Sequence, residues 1–349
     1  MIKVLFVAAF PPPVHGSAMV SQYVANLIEP DYDVHRVNIG SNDVLASYNS
    51  NTLKKSILGL FKLLSLIKEI SGGFNKVYFT PAINGPAFWR DIIIVLLIKL
   101  KNPRASLILH MHNKGLEKSY IRRAFFNLIT KSHSVIALSK KLALPYRNRV
   151  VVVKNFPIGI PENSIKPRKK IERIGYLSNY IIAKGILTFV DIAMEFRNKD
   201  LEFMCAGKDA DCTKEELLSL IDFHGLSNLV VNGPKYNDDK WTFLDSLDVL
   251  LFPTTYSNEC SPLVLLEAMS RGVLVISFNE GGIEDMLPKD TSCLVSGKNM
   301  MIATLNKLIN DPSMFVEERV KQDLFFRSNF TEENFIKDIL ELFNDQSTY

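Results

Sequence analysis

The sequence predicts an α/β protein built from two doubly wound domains, each a parallel sheet with helices on both faces. Three observations predict it. The 349 residues exceed one ordinary core, and two domains of roughly 150 to 180 residues are the natural partition. Short, continuously apolar, β-branched runs alternate with helical patterns along the whole chain, which is the signature of strands buried on both faces. The charge also divides with the chain. Met1 to Ile165 carries 21 Lys and Arg against 8 Asp and Glu, a balance of +13, whereas the remainder holds 20 against 29, a balance of −9.

In the first half the strand candidates are KVLFVAAF (3–10), KVYFT (76–80), SLILH (106–110), SVIAL (134–138) and VVVVK (150–154). Helical patterns fall at 17–29, 53–70, 86–101 and 117–131. The second half repeats the alternation with strands at 171–177, 201–207, 229–233, 249–253 and 273–278. Helical stretches there are 184–197, 213–224, 238–246, 262–271 and 282–287. The Pro-, Asn- and Lys-rich segment 155–170 reads as the linker. The expected domains are 1–160 and 161–330, followed by a terminal helix in 331–349 that packs back on the first domain and opens with a capping signal at Thr331.

Composition excludes several classes. Apolar residues make up 47% and charged residues 22%, which is globular. Cys205, Cys212, Cys260 and Cys293 form no CxxC pair, which argues against a disulfide framework or zinc site and for a reducing compartment. No apolar run approaches the roughly 20 residues of a spanning helix. The start, MIKVLFVAAFPPP, ends in prolines instead of a small-residue cleavage site and reads as a buried strand. A cytoplasmic protein is expected.

Ligands of open parallel sheets bind beyond the carboxyl ends of the strands, so the polar residues after each strand carry the functional signal. After the first strand, FPPPVHGSAMVSQY (10–23) sets Gly16 and Ser17 at a helix start whose free amides suit a phosphate, with Ser17 as an ordinary N-cap the plain alternative. No GxGxxG occurs anywhere, which removes the main support for dinucleotide binding. LILHMHNKG (107–115) ends a strand with His110 and His112, expected on opposite faces, one of them toward the site. Lys184 and Gly185 start a helix after the first strand of the second domain; a lysine there opposes the helix dipole unless an anion is bound. Gly207 and Gly233 end the next two strands.

The densest signal is SNECSPLVLLEAMSRG (257–272). Ser261 reads as N-cap, Pro262 as the first helical residue and Gly272 as the stop. Glu267 interrupts an apolar helix about 7 Å below its tip at 1.5 Å per residue. Burying that carboxylate is costly without a partner. Either a salt bridge supplies one, or hydroxyls of a ribose do, from a diphosphate seated on the helix tip.

These residues resemble a known family. Glu259 to Glu267 matches the E-x7-E signature of retaining glycosyltransferases, and LLEAMSRGVLVISFNEGG (265–282) resembles the most recognisable segment of glycosyltransferase family 4. FPPPVHGSA resembles that family's glycine-bearing loop after strand one, SNYIIAKG its G-R-L-x-x-x-K-G segment, and DVLLFPTTYSNE the strand and loop before the first glutamate. The resemblance implies the GT-B fold, two Rossmann-like domains facing each other across a cleft. It implies a hexosyltransferase that uses a nucleotide-sugar, UDP-linked by preference, as co-substrate and no cofactor. Lys184 is then expected to neutralise the donor diphosphate, Glu267 to bind the ribose, and Glu259 to hold the transferred sugar. Asn179, Gly207, Gly233, Cys260, Ser261, Pro262 and Leu263 are also expected to bind the donor, the amides of Ser261 and Leu263 near the transferred sugar, with Gly16 and Ser17 approaching from the other domain and His110 or His112 beside the sugar.

Two positions depart from the family pattern. Asn179 stands where many relatives have a phosphate-binding arginine, and Pro262 where a glycine is common. The resemblance also implies front-side attack with retention. No carboxylate pair is arranged as in a glycosidase and no DxD motif follows a site-facing strand, so metal independence is expected. KKSILGLFKLLSLIKEI (54–70) and RRAFF (122–126) are basic and apolar. They fit peripheral contact with the inner face of an anionic membrane, with a glycan or polyprenyl-diphosphate-linked acceptor in surface polysaccharide synthesis, and 54–70 fits equally a core-facing helix whose lysines are solvated. Nucleic acid is not expected, because no binding module accompanies the charge. A nucleotide-sugar epimerase or hydrolase, or a non-catalytic sugar- or lipid-binding subunit, are the alternatives.

Overall fold

The computed structural model describes residues 1–12, 15–40, 68–131, 133–147, 149–162, 165, 167–256 and 258–345. The chain forms two compact units, Met1–Asn155 with Glu333–Tyr349, and Phe156–Glu332. The basic stretch 54–70 lies outside the described residues up to position 67.

The first unit is a six-stranded parallel sheet in the order β2-β1-β3-β4-β5-β6. Its strands are β1 (Ile2–Ala8), β2 (Tyr32–Asn38), β3 (Lys76–Phe79), β4 (Ser106–Met111), β5 (Ser134–Ala137) and β6 (Arg149–Val152). Helix α1 (Gly16–Ile28) follows β1, α2 (Gly85–Lys101) follows β3, α3 (Tyr120–Ile129) follows β4, and the short α4 (Lys140–Ala143) follows β5. Every residue of β3, β4 and β5 is buried, as continuous apolar runs require. The order reverses between β1 and β3, so the loops after those strands part at their carboxyl ends.

The second unit is also six parallel strands, in the order β12-β11-β10-β7-β8-β9. These are β7 (Arg173–Leu177), β8 (Glu202–Ala206), β9 (Leu229–Asn232), β10 (Val249–Phe252), β11 (Leu274–Phe278) and β12 (Leu294–Val295). Helices α5 (Ile186–Glu195), α6 (Lys214–His224), α7 (Asn237–Ser246) and α8 (Leu263–Ser270) connect them, and α9 (Lys298–Asn310) and α10 (Pro312–Asn329) follow. The reversal lies between β7 and β10. The segment expected as a helix at 282–287 is a single 3₁₀ turn, Ile283–Asp285.

The last helix, α11 (Glu332–Asn344), packs on the first unit. Phe343 stacks on Phe6 at 6.2 Å and on Tyr78 at 6.4 Å, and the Tyr32 hydroxyl donates to its carbonyl at 3.0 Å. Phe335, Ile339 and Leu342 are buried along the same helix, and burying each such side chain contributes about 1.5–3 kcal/mol, so the helix is anchored along its length. Among the described residues no helix is long and apolar enough to cross a membrane.

Candidate active site

The reversal between β7 and β10 brings two loops together. After β7 the chain makes a 3₁₀ turn, Ile182–Lys184, and enters α5 through Gly185 at φ +91°. A Cβ at Gly185 would meet the carbonyl oxygen of Pro253 at 2.2 Å, so only glycine lets the β10 loop approach this closely. Thr255 N–H completes the zipper by donating to the Ala183 carbonyl at 2.8 Å. The result is that Lys184 and Glu259, 75 residues apart in the chain, meet with Nζ 3.1 Å from Oε1. Glu259 is buried, and Gly282 N–H holds its carbonyl at 3.3 Å. The contact is an ion pair without an aligned hydrogen bond, so Oε1 keeps acceptor capacity. Lys184 Nζ also lies 5.5 Å from the centre of the Tyr256 ring.

Helix α8 starts one residue later than expected. Pro262 has ψ 115°, an extended value, so it is the N-cap residue and Ser261 lies outside the helix. No side chain caps this end, and with Leu265 N–H donating to the Pro262 carbonyl at 3.1 Å the amides of Leu263 and Val264 are the ones left for a ligand. Gly272 at φ +65° stops the helix as its sequence implies. Leu265, Leu266, Glu267, Ala268 and Met269 are all buried, so the acid stands in an apolar surround. Its partner is Lys240 of α7, whose Nζ donates to Oε1 at 2.6 Å and lies 4.4 Å from the Trp241 ring centre. The salt bridge expected as one alternative for Glu267 is therefore present.

The other expected residues divide. Gly207 is a close-approach position, since a Cβ there would lie 1.9 Å from the Ser178 carbonyl oxygen. Cys260 is buried beside Glu259 in sequence, and Leu263 is half-buried at the helix start. Asn179 is exposed; its carbonyl accepts from the Tyr176 hydroxyl at 3.3 Å and from Ile181 N–H at 2.7 Å. Gly233 is half-buried with nothing within 4 Å of a built Cβ, and no close packing ties it to the lysine–glutamate pair. Asp211 accepts from Ile182 N–H at 2.8 Å, which buttresses the turn that carries Lys184, and Asp209 accepts from Lys214 N–H at 3.0 Å.

In the first unit, α1 begins at Gly16, and His15, not Ser17, caps it: Nδ1 accepts from Ala18 N–H at 3.3 Å and lies 3.1 Å from the Ser17 hydroxyl. His110 and His112 do not point to opposite faces. Strand alternation returns residues i and i+2 to one face, and their ring centres are 4.1 Å apart. His110 is wholly buried, its Nδ1 2.5 Å from the Tyr78 hydroxyl. Burial holds His110 well below the ordinary imidazole range, with the neighbouring His112 adding to the effect. Burial likewise pushes His112 down to about 3, helped by His15. All three are thus neutral bases near pH 7, since burial lowers His15 as well.

Sequence reasoning missed Lys240, Tyr256 and His15. Lys240 precedes Glu267 by 27 residues on a different helix, so no spacing signals the pair. His15 lies within the quoted loop, and its place directly before Gly16 was the available clue.

Two doubly wound parallel units of this kind define the GT-B architecture. The solved sucrose-phosphate synthase of Thermosynechococcus elongatus matches 98% of this chain and 98% of its own at a TM-score of 0.74 with 13% identity. Anabaena HepE, solved with UDP and glucose, matches 98% of this chain and 99% of its own at a TM-score of 0.73 with 16% identity. At the sequence level, residues 171–311 match the family model of glycosyl transferases group 1. A Haemophilus influenzae protein described as an uncharacterized glycosyltransferase is 22% identical over 88% of this chain and 91% of its own. Residues 171–311 resemble a group 1 glycosyltransferase domain, and the chain is a glycosyltransferase.

Proposed function

We propose that the chain is a retaining transferase that moves a sugar from a nucleotide-sugar, UDP-linked by preference, to a glycan or lipid-linked glycan in surface polysaccharide synthesis. The observation that carries it is the meeting of Lys184 with buried Glu259 at the switch point, on the loop that leads into the uncapped start of α8. An ammonium and free helix amides suit a leaving diphosphate, whose developing charge has to be stabilised. Glu259 Oε1 has acceptor capacity for hydroxyls of the transferred sugar. Glu267 exchanges its Lys240 contact for, or shares it with, the ribose hydroxyls. Lys240 then stands as the second cation of a segment whose Asn179 replaces an arginine. The leaving phosphate takes the acceptor proton as the acceptor hydroxyl attacks from the same face, with no metal required. UDP held by HepE is the parallel for the donor.

Incubation with UDP-, GDP- and ADP-sugars and a membrane extract tests this reading. Transfer of sugar to lipid with the anomeric configuration kept, undiminished by a chelator, is the expected result. Epimerisation or hydrolysis without acceptor, or binding without turnover, would replace it with one of the two alternatives. Glu267→Ala is expected to weaken donor binding by about 10- to 100-fold, the scale of one charge-assisted hydrogen-bonding group.

A further inference from the structure

Helices α2 and α3 expose apolar side chains that the transfer chemistry does not use. On α2, Trp89, Ile93, Leu96 and Leu100 recur at helical spacing along the outer face, and Leu100 is 74% exposed. On α3, Phe126 is the single buried residue; Ile121, Phe125 and Leu128 line the opposite side, with Leu128 72% exposed. The stripes join, because the Trp89 and Phe125 rings meet at 5.9 Å and Lys99 Nζ donates to the Ile129 carbonyl at 2.9 Å. Contiguous apolar exposure on this scale marks an interaction surface.

The charge around it selects the partner. Residues 85–131 contain nine Lys and Arg against two Asp and Glu, a balance of +7. Of the two acids, Asp91 is buried and paired with Arg90 at 2.7 Å. A second copy would set the same positive charge against itself. An anionic bilayer instead accepts the leucines and isoleucines among its acyl chains and the basic residues at its headgroups. Trp89 and Tyr120, both exposed, carry the amphipathic rings that favour this boundary.

We propose that the α2–α3 face is a docking surface for anionic phospholipid. It deepens the reading of a lipid-linked acceptor and rests on it for its purpose, while its physical test requires neither donor nor acceptor. The full chain is sedimented with vesicles of phosphatidylglycerol and phosphatidylcholine, and with phosphatidylcholine alone. Two double variants are compared, Leu100→Ser with Leu128→Ser, and Lys101→Ser with Arg104→Ser, all at exposed positions whose change leaves the core intact. Preference for the anionic vesicles is expected, with partitioning lowered about tenfold or more in each variant and unchanged circular dichroism. Absence of binding, equal binding to neutral vesicles, or binding that persists in both variants overturns the proposal. A dimer in sedimentation equilibrium that the leucine variant dissolves also overturns it, because a second copy then covers the face. Transfer to a soluble acceptor is measured in parallel. Its survival in both variants separates a failed docking surface from a failed active site.

Discussion

Lys240 Nζ lies 2.6 Å from Oε1 of Glu267, so the acid inside the apolar helix α8 is charge-paired by a residue from α7. The pair is largely buried, with 23% of the lysine and 11% of the glutamate side chain exposed. Removing one partner of such a pair leaves the other with an unmet desolvation cost of about 1–3 kcal/mol. Lys240→Ala is therefore expected to lower the melting temperature. If ribose hydroxyls then become the only donors to Glu267, a nucleotide-sugar should raise the melting temperature more in the variant than in the parent. Equal ligand-induced shifts, measured by thermal denaturation, would separate Glu267 from the donor site.

Lys184 holds a different balance. Glu259 is the acid it neutralises now, and the donor diphosphate is the anion proposed for it during turnover. Lys184→Met should lower kcat/KM by about 10²- to 10³-fold, the usual loss when one charge-stabilising donor is removed. It should also destabilise the fold by leaving Glu259 buried and unpaired. Adding Glu259→Gln to Lys184→Met then restores stability but not rate. A double variant that regains rate would show the pair to be structural.

The histidines predict a pH dependence of stability. His110 and His112 are held neutral in the folded unit, His112 with its pKa at about 3 against an ordinary 6.5. The unfolded chain binds protons as the pH falls through 6.5 while the folded chain does not, so their contribution is full above that pH and is lost below it. The expected slope is about 1.4 kcal/mol per pH unit for His112 between roughly pH 6 and 4, with His110 adding in the same direction. His110→Asn or His112→Gln should flatten the profile. Urea titrations at several pH values that show the same slope in parent and variants would assign acid sensitivity to other groups.

Where hydrophobic pattern and burial coincide, the sequence was readable. The ten strands it marks all exist, because they are apolar on both faces, and the glycine after α8 ends that helix through its left-handed backbone. Strand β2 escaped notice because YDVHRVN buries only Tyr32 and Val37 and exposes three residues, so it carries neither a continuous apolar run nor a clean alternation. Helices α9 and α10 were also missed. In α10 the buried stripe is Phe315, Glu318, Gln322 and Phe326, and two polar members break the apolar period. In the candidate site, the lysine and both glutamates were legible as letters, since their spacing to a helix start is local. Their partners were not. The contacts of Glu259 to Lys184 and of Glu267 to Lys240 cross between loops and helices that only the strand order brings together. The histidine faces were misjudged by neglecting that strand alternation has period two.

Gln322 shows why a polar residue in a buried stripe is retained. Strand β12 pairs with β11 only at Ser277 and Phe278, so the outer edge of Val275 has no strand beside it. Gln322 replaces the missing strand: its carbonyl accepts Val275 N–H at 2.7 Å and its amide donates to the Val275 carbonyl at 2.9 Å. Gln322 is itself buried, so no water takes over if it is removed. Gln322→Leu keeps the volume and strands both backbone groups, at an expected cost of about 2–4 kcal/mol. Gln322→Glu keeps the acceptor for Val275 N–H but loses the donor and sets a carboxylate against the Val275 carbonyl, so it should cost at least as much. Urea denaturation with an unchanged m-value is the measurement. A leucine variant as stable as the parent would mean that apolar packing, and not the edge pairing, fixes α10 on the sheet.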